Sequence, residues 1–162
     1  MSSTPNRASP HPAGKPRRKD VTLDLPTARQ MLPLVRSIVT DIVDTNHRLA
    51  ELAAEQEALD RNRRALNWAD RQRRYAVHDE LAQREKSLAG AVSELAALGL
   101  TLVDAGAGQV DFPTRINGRP AAFSWQLGEE GVGHWRYAGE DHRRPIPADW
   151  QPGAPLRSRG EP

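Results

Sequence analysis

Residues 81–99, LAQREKSLAGAVSELAALG, contain the pattern on which the fold depends. Leu81, Leu88 and Leu95 recur every seven residues, which is the spacing of a helix that packs along another helix. Gly99 follows the last of these turns, and glycine is a typical residue at the C-terminal end of a helix. The spacing therefore predicts a helix over residues 70–98.

An earlier stretch predicts the partner helix. Asp24 can act as its N-cap, and Pro26 lies in the first turn, where the missing N–H costs nothing. The 3-4 spacing that follows defines a seam at Leu25, Ala28, Leu32, Val35, Val39, Ile42, Asn46, Leu49 and Ala53. Because the link to the second helix is short, the two helices should run antiparallel. We expect a long helical hairpin over residues 23–99.

The predicted seam contains polar side chains. Asn46 interrupts the first helix, His78 and Glu85 fall on the second, and a bend at residues 65 and 66 brings Asn46 near Glu85. We interpret these three residues as a polar layer that fixes the register of the helices, since buried polar groups cost stability but specify alignment. A metal ion between the helices is the alternative. The Glu-x-x-His spacing of such sites is absent, so we expect no metal.

After residue 99 the pattern changes from a helical to an alternating period. Strands are predicted at LTLVD, VDF, RINGRPAAFSW and VGHWRYA, and Asn117-Gly118 is a strong signal for a tight hairpin. We expect a small antiparallel sheet of four or five strands over residues 100–150. It should pack at the open end of the hairpin, on the apolar face that includes Met31, Leu34 and Ile38. The predicted fold class is α+β.

The composition limits the classes of function. The 162 residues include no cysteine, which excludes disulfides, thiolate metal sites and thiol catalysis. No apolar run approaches the ~20 residues of a membrane-spanning helix, and residues 1–20 lack a secretory apolar segment. We therefore expect a cytoplasmic protein without a membrane contact, and no motif indicates a cofactor.

The two ends of the chain differ in composition from the middle. Residues 1–22 are basic and rich in Pro, Ser and Gly, and residues 151–162 are similar, so both are predicted to be disordered tails. The net charge of +2 conceals this division, because the tails are positive and the middle of the chain is negative.

Several short motifs resemble one known family. They are LDLPTARQMLPLV, LGLTLVD, VDFP, SWQLGEEGVGHW and RRPIP, in this order over residues 23–147. The combination is similar to a bacterial family known as domain of unknown function 2203. The resemblance implies this architecture and no assigned activity. The family pattern has cysteine in place of Ser124 and histidine in place of Arg136, so a thiol or metal function of the family at those positions would be absent from this chain.

Arginine-rich residues 61–75 form the predicted bend of the hairpin. Guanidinium groups bind phosphates, and an exposed aromatic ring can stack on a base, so this tip is a candidate nucleic-acid contact. The alternative interpretation is that the arginines only keep the bend soluble. The candidate residues are Arg61, Arg63, Arg64, Trp68, Arg71, Arg73 and Arg74.

The predicted sheet contains a second group of polar residues, Asp111, Arg115, His134 and Arg136. Acid, base and arginine together could hold a small anion or perform acid–base chemistry. No spacing selects them as a catalytic set, and no catalytic residue is assigned.

We therefore favour a non-catalytic interaction or scaffold protein, although the residues leave the question of enzyme activity open. Its hairpin would pair with a second copy, as a homodimer, or with a protein partner. The alternatives are nucleic-acid binding through the arginine-rich tip and the basic N-terminal tail, and a small-ligand or enzyme site in the sheet.

Overall fold

The computed structural model describes residues 21–150, and the fold is α+β, as predicted. Two packed helices are followed by a five-stranded antiparallel sheet in which each strand pairs with the next along the chain. The helices are α1, Leu25–Arg61, and α2, Trp68–Ala97. The strands are β1, Thr101–Asp104; β2, Gln109–Ile116; β3, Arg119–Gln126; β4, His134–Tyr137; and β5, Arg144–Pro145. The predicted tails lie outside the described residues, apart from residues 21 and 22.

Side-chain caps determine where the helices begin. The Asp24 carboxylate accepts a hydrogen bond of 2.8 Å from the backbone N–H of Thr27. Hydrogen bonding to Thr27 holds the pKa of Asp24 below its usual value. The Asn67 side chain accepts from the backbone N–H of Asp70 at 2.8 Å. Helix α2 therefore starts at Trp68, two residues before the predicted start, because Asn67 is its N-cap.

The helices pack along a seam that follows the prediction only in its first half. The α1 positions from Leu25 to Ile42 are buried as expected, but Thr45 and Leu52 are buried beyond them, rather than Asn46 and Ala53. An α-helix has 3.6 residues per turn, so a strict 3-4 spacing drifts by about 20° per heptad. The drift moves the real seam back by one residue. On α2, Leu95 is buried and Leu81 and Leu88 are half-buried.

The sheet packs on the first half of α1. Val110, Phe112, Phe123 and Trp125 are buried and belong to the same apolar core as the α1 residues up to Ile42. As predicted for the surplus apolar face of α1, Ile38 is 7% exposed and belongs to the core that the helix shares with the sheet, while Met31 is half-buried against that core.

The prediction is wrong for Leu34, whose side chain is 55% exposed. Leu34 lies at the margin of the covered face of α1, and the core residues that the structure describes do not extend over it. Within residues 21–150, neither helix contains an apolar stretch long enough to cross a membrane.

Candidate functional site

The tip of the hairpin is the loop of residues 62–67 with the adjoining turns of both helices, residues 60–75. Leu66 is buried beneath the loop, and its carbonyl oxygen accepts a hydrogen bond of 3.1 Å from Nε of Arg71. The Asn67 cap fixes the entry to α2. The backbone of the tip is therefore held by local contacts, while the side chains of Arg61, Arg63 and Arg64 are exposed.

Two of the tip arginines form close ion pairs. Both Nε and Nη2 of Arg73 donate to the carboxylate of Glu55 on α1, the second at 2.7 Å. Nε of Arg74 donates to Oδ1 of Asp60 at 2.8 Å. These contacts hold the two helices together at the tip. Arg73 therefore has a structural role. Arg74 has one through its Nε, and its Nη groups are not used in this contact.

The remaining tip arginines are less engaged. Arg61 lies 3.9 Å from Glu57 in a largely exposed pair, which contributes little in water. Arg71 uses Nε on the loop and keeps both Nη groups unpaired within residues 21–150. Arg63 and Arg64 are exposed and have no ion pair or hydrogen bond to another described side chain.

A small open cavity lies among these groups. Its volume is about 190 Å³, and it is lined by Arg63, Leu66, Arg71, Arg74 and Tyr75. Three guanidinium groups thus surround one space, and each has N–H groups that are not donated elsewhere in the described part of the chain. A cluster of this kind can hold an anion such as a phosphate group.

Two aromatic side chains flank the cationic groups. Trp68 is 75% exposed and Tyr75 is 64% exposed, more than any other large hydrophobic side chain in residues 21–150. They are seven residues apart on α2, so they lie on the same face of the helix, with Arg71 between them. Trp68 was a candidate from the sequence, and its ring is open to solvent in the structure.

The predicted polar layer in the seam is not formed. Asn46 is half-buried, but His78 and Glu85 are exposed on α2 and do not face it. The reason is again the 3.6-residue period, which puts Val77 in the seam where His78 was expected.

Ion pairs at the margin of the seam cross between the helices instead. Arg48 forms a bidentate pair with Glu80, and Arg73 forms one with Glu55. Hydrogen bonds from the arginines lower the pKa of both glutamates, and the glutamates raise the pKa of both arginines. The sequence contains a signal for these pairs. On each helix two residues of opposite charge lie seven positions apart, Arg48 and Glu55 on α1 and Arg73 and Glu80 on α2.

The outer face of the sheet contains a polar network. The strand register aligns Asp111, Ser124 and His134 across β2, β3 and β4. Nη2 of Arg136 lies 2.6 Å from Oδ2 of Asp111, and these side chains are 15% and 14% exposed. The structure thus brings together Asp111 and Arg136, two of the predicted candidates.

Arg115 lies apart from this network. Its Nη1 donates to the carbonyl oxygen of Gly118 at 2.9 Å, in the turn between β2 and β3. Its side chain also lines an open, mostly apolar groove of about 900 Å³, which Val21, Leu102 and Pro113 border as well. The four residues proposed for a ligand site in the sheet therefore do not form one site.

A second ion pair lies beside the first. Arg143 donates to both carboxylate oxygens of Glu129, at 2.8 and 2.9 Å, and its Nε donates to Oγ of Ser124 at 2.9 Å. Burial alone would raise the pKa of Glu129, but the hydrogen bonds from Arg143 and from the backbone N–H of Gln126 lower it below its usual value. Arg143 was not a candidate from the sequence, since its partners are 14 and 19 residues away.

The polar groups of this face mostly satisfy one another. Ser124 is fully buried, and both carboxylates are occupied by guanidinium groups. Nδ1 of His134 is the exception, because it lies 3.7 Å from Oε1 of Glu129 and makes no hydrogen bond to the described residues. No group of three or more His, Asp or Glu side chains suited to a metal occurs in residues 21–150. The arrangement is typical of a structural network that holds the segment after β4 on the sheet.

Comparisons with known proteins identify a family and add no chemistry. No curated protein and no solved structure matched the chain. One family model matched residues 22–146, and its description is uncharacterized conserved protein, DUF2203. The match includes both helices and all five strands. The chain therefore belongs to the DUF2203 family, domain of unknown function 2203.

Proposed function

We propose that this protein is a non-catalytic binding protein whose helical hairpin presents its tip to a partner. The observation that carries the proposal is the exposure of Trp68 and Tyr75 on one helix face beside Arg71. Exposed apolar groups that lie together within a polar rim mark binding surfaces, and Trp, Tyr and Arg are enriched at the energetic centres of interfaces. The tip therefore has the composition of an interface and lacks a covering partner within residues 21–150.

The shape of the hairpin supports the same proposal. The α1 residues that belong to the core or pack against it end at Val43, whereas α1 continues to Arg61. At a rise of ~1.5 Å per residue, this leaves about 25 Å of hairpin beyond the core shared with the sheet. A partner could thus contact the tip without meeting the sheet.

Self-association through the sides of the hairpin is supported less well. The α2 positions that face away from α1 include Ala82, Glu85, Ala89 and Ala96, all exposed. Alanine and charged residues offer little apolar area for a four-helix core. A homodimer formed through these faces stays a prediction, which light scattering on the purified protein can test. Cytoplasmic location likewise stays a prediction.

A small-ligand or enzyme site in the sheet has no observation in its favour beyond the polar network. Asp111 already pairs with Arg136, and Glu129 with Arg143, so a ligand would have to displace these partly buried ion pairs. The tip requires no such displacement.

Photo-cross-linking from the tip tests the proposal. A photoreactive amino acid replaces Trp68 in the full chain, and in a matched control it replaces Gln83, which is exposed farther along α2. After irradiation in the source cell, we expect a discrete adduct from position 68 and none from position 83. The adduct should disappear when Arg63 and Arg71 are changed to Ala. Equal labelling from both positions, or none from position 68, would contradict the proposal.

A further inference from the structure

The charge of the molecule is concentrated at the tip. Residues 60–75 contain six arginines and two aspartates, a net charge of +4. The other residues from 21 to 150 contain ten Lys and Arg against seventeen Asp and Glu, a net charge of −7. An anionic partner would be attracted to the tip and repelled by the remainder of the described chain. The partner of the tip should therefore be an anion that reaches it end-on.

The cavity at the tip fits a phosphate group. Arg63, Arg71 and Arg74 surround it with N–H groups that the described residues do not occupy. Guanidinium groups bind phosphate oxygens in pairs, which gives geometry as well as charge. The negative charge of the partner is thus best supplied by phosphate.

The aromatic rings indicate what the phosphate is attached to. Trp68 and Tyr75 are exposed beside the arginines, where planar groups of a ligand can stack on them. The acidic side chains of a peptide would pair with the arginines but would not stack on the rings, whereas every base has a planar face that does. In a nucleic-acid duplex the base faces are already stacked on each other, so the rings could reach bases only in a single strand.

From these observations we infer that the hairpin tip binds single-stranded nucleic acid. Trp68 and Tyr75 stack on bases, Arg63 and Arg71 hold a phosphate in the cavity, and the exposed Arg64 adds positive charge beside it. The inference rests on the proposed function, because it names the partner of the same surface. DNA and RNA share the chemistry that the tip recognises, and the binding experiment distinguishes them.

Fluorescence anisotropy with labelled oligonucleotides of one mixed sequence measures this binding. The probes are single-stranded DNA, single-stranded RNA and the corresponding duplex, each at about 50 and 200 mM salt. We expect the full chain to bind at least one single strand more tightly than the duplex. Trp68→Ala should weaken that binding about tenfold or more, the scale of one stacked base, and Trp68→Phe should retain most of it.

The basic tail of residues 1–20 could bind nucleic acid on its own, so the design must separate it from the tip. The tails contain no Trp, Tyr or Phe, and a tail contact would therefore not respond to Trp68→Ala. For the arginines, R63A/R64A is compared with R29A/K86A, which removes the same charge from exposed positions far from the tip. Only R63A/R64A should reduce the slope of log affinity against log salt, by about 1.4. Unchanged thermal unfolding of each variant confirms that it is folded.

Four results would overturn the inference: no binding at the lower salt, tighter binding of the duplex, no effect of Trp68→Ala, or equal effects of the two double variants. The cross-linking experiment then tests the proposed function separately. If position 68 captures a protein while no oligonucleotide binds, the inference fails and the proposed function stands. If position 68 captures nothing and no oligonucleotide binds, both fail.

Discussion

Arg48 and Glu80 form a bidentate ion pair across the hairpin, with Nε 2.9 Å from Oε1 and Nη2 3.1 Å from Oε2. Seven residues farther from the sheet, the same contact occurs between Glu55 and Arg73 with the charges exchanged. A slip of one heptad would place Arg48 opposite Arg73 in one direction and Glu55 opposite Glu80 in the other. The two pairs therefore specify the register of the helices by penalising its nearest alternatives.

We expect charge reversal to show this coupling directly. Glu80→Arg should lower the melting temperature, because it places a second guanidinium group beside Arg48, and R48E/E80R should recover much of the loss. Glu85→Arg is the matched control, since Glu85 is exposed on the same helix. Thermal unfolding followed by circular dichroism measures all four proteins. A double variant no more stable than Glu80→Arg would show that the pair does not contribute.

The same glutamates should make the stability of the hairpin depend on pH. Hydrogen bonds from Arg73 and Arg48 lower the pKa of Glu55 and Glu80 in the folded protein. The two glutamates therefore make their full contribution to stability above the unfolded pKa of about 4.3. This contribution is lost as the pH falls through their lower pKa values in the folded protein. The melting temperature of E55Q/E80Q should lie below that of the native chain at neutral pH, and the gap should narrow as the pH falls below about 4. A constant gap, or the same narrowing in E57Q/E85Q, would contradict this assignment.

The sequence predicted the elements better than their contacts. Local signals identified the Asn117-Gly118 turn, whose two residues have φ of 53° and 72°, and the leucine heptad of α2. These signals work because the residues concerned determine their own backbone or repeat within one helix. The burial of individual seam residues depends on the exact pitch of two packed helices, which a repeat of seven does not supply.

The ion pairs of the sheet illustrate the same limit. Asp111 and Arg136 were both candidates, but their contact depends on a register that spans three strands, and Arg143 reaches Glu129 only because the chain folds back after β4. The composition of the tip was readable in the sequence. The sequence did not show which of the tip arginines form ion pairs, because their partners Glu55 and Asp60 lie on the other helix, α1.

Breaking the Asp111–Arg136 pair should destabilise the protein more than breaking an exposed pair. Asp111→Ala leaves the guanidinium group of Arg136 mostly buried and without the carboxylate that pairs with it. We expect a loss of about 2–4 kcal/mol in the free energy of unfolding. Replacing both residues, as in D111V/R136V, should recover most of it, because no uncompensated charge remains. Glu57→Ala, which removes the exposed Arg61 contact, should change stability by less than about 0.5 kcal/mol. Chemical denaturation measures each value, and similar losses for Asp111→Ala and Glu57→Ala would contradict the prediction.

The packing of the sheet against α1 can be tested at the turn between β1 and β2. Gly108 and Gly118 have the same φ of 72°, in the left-handed region, so changing either to Ala carries a similar backbone penalty of about 1–2 kcal/mol. A Cβ on Gly108 would lie 2.9 Å from both Val39 Cγ1 and Leu127 Cβ, whereas a Cβ on Gly118 would meet nothing within 4 Å. Val39 is fully buried and cannot move aside freely.

Gly108→Ala should therefore cost about 1–3 kcal/mol more than Gly118→Ala, the usual range for overpacking a core. Urea denaturation measures the free energy of unfolding of each variant. The difference between the two values reports the packing contact, because both variants carry a similar backbone penalty. Equal losses of stability in the two variants would mean that the turn at Gly108 does not pack closely against α1 in solution. In that case the contact that joins the sheet to the hairpin at Val39 would have to be looser than the structure shows.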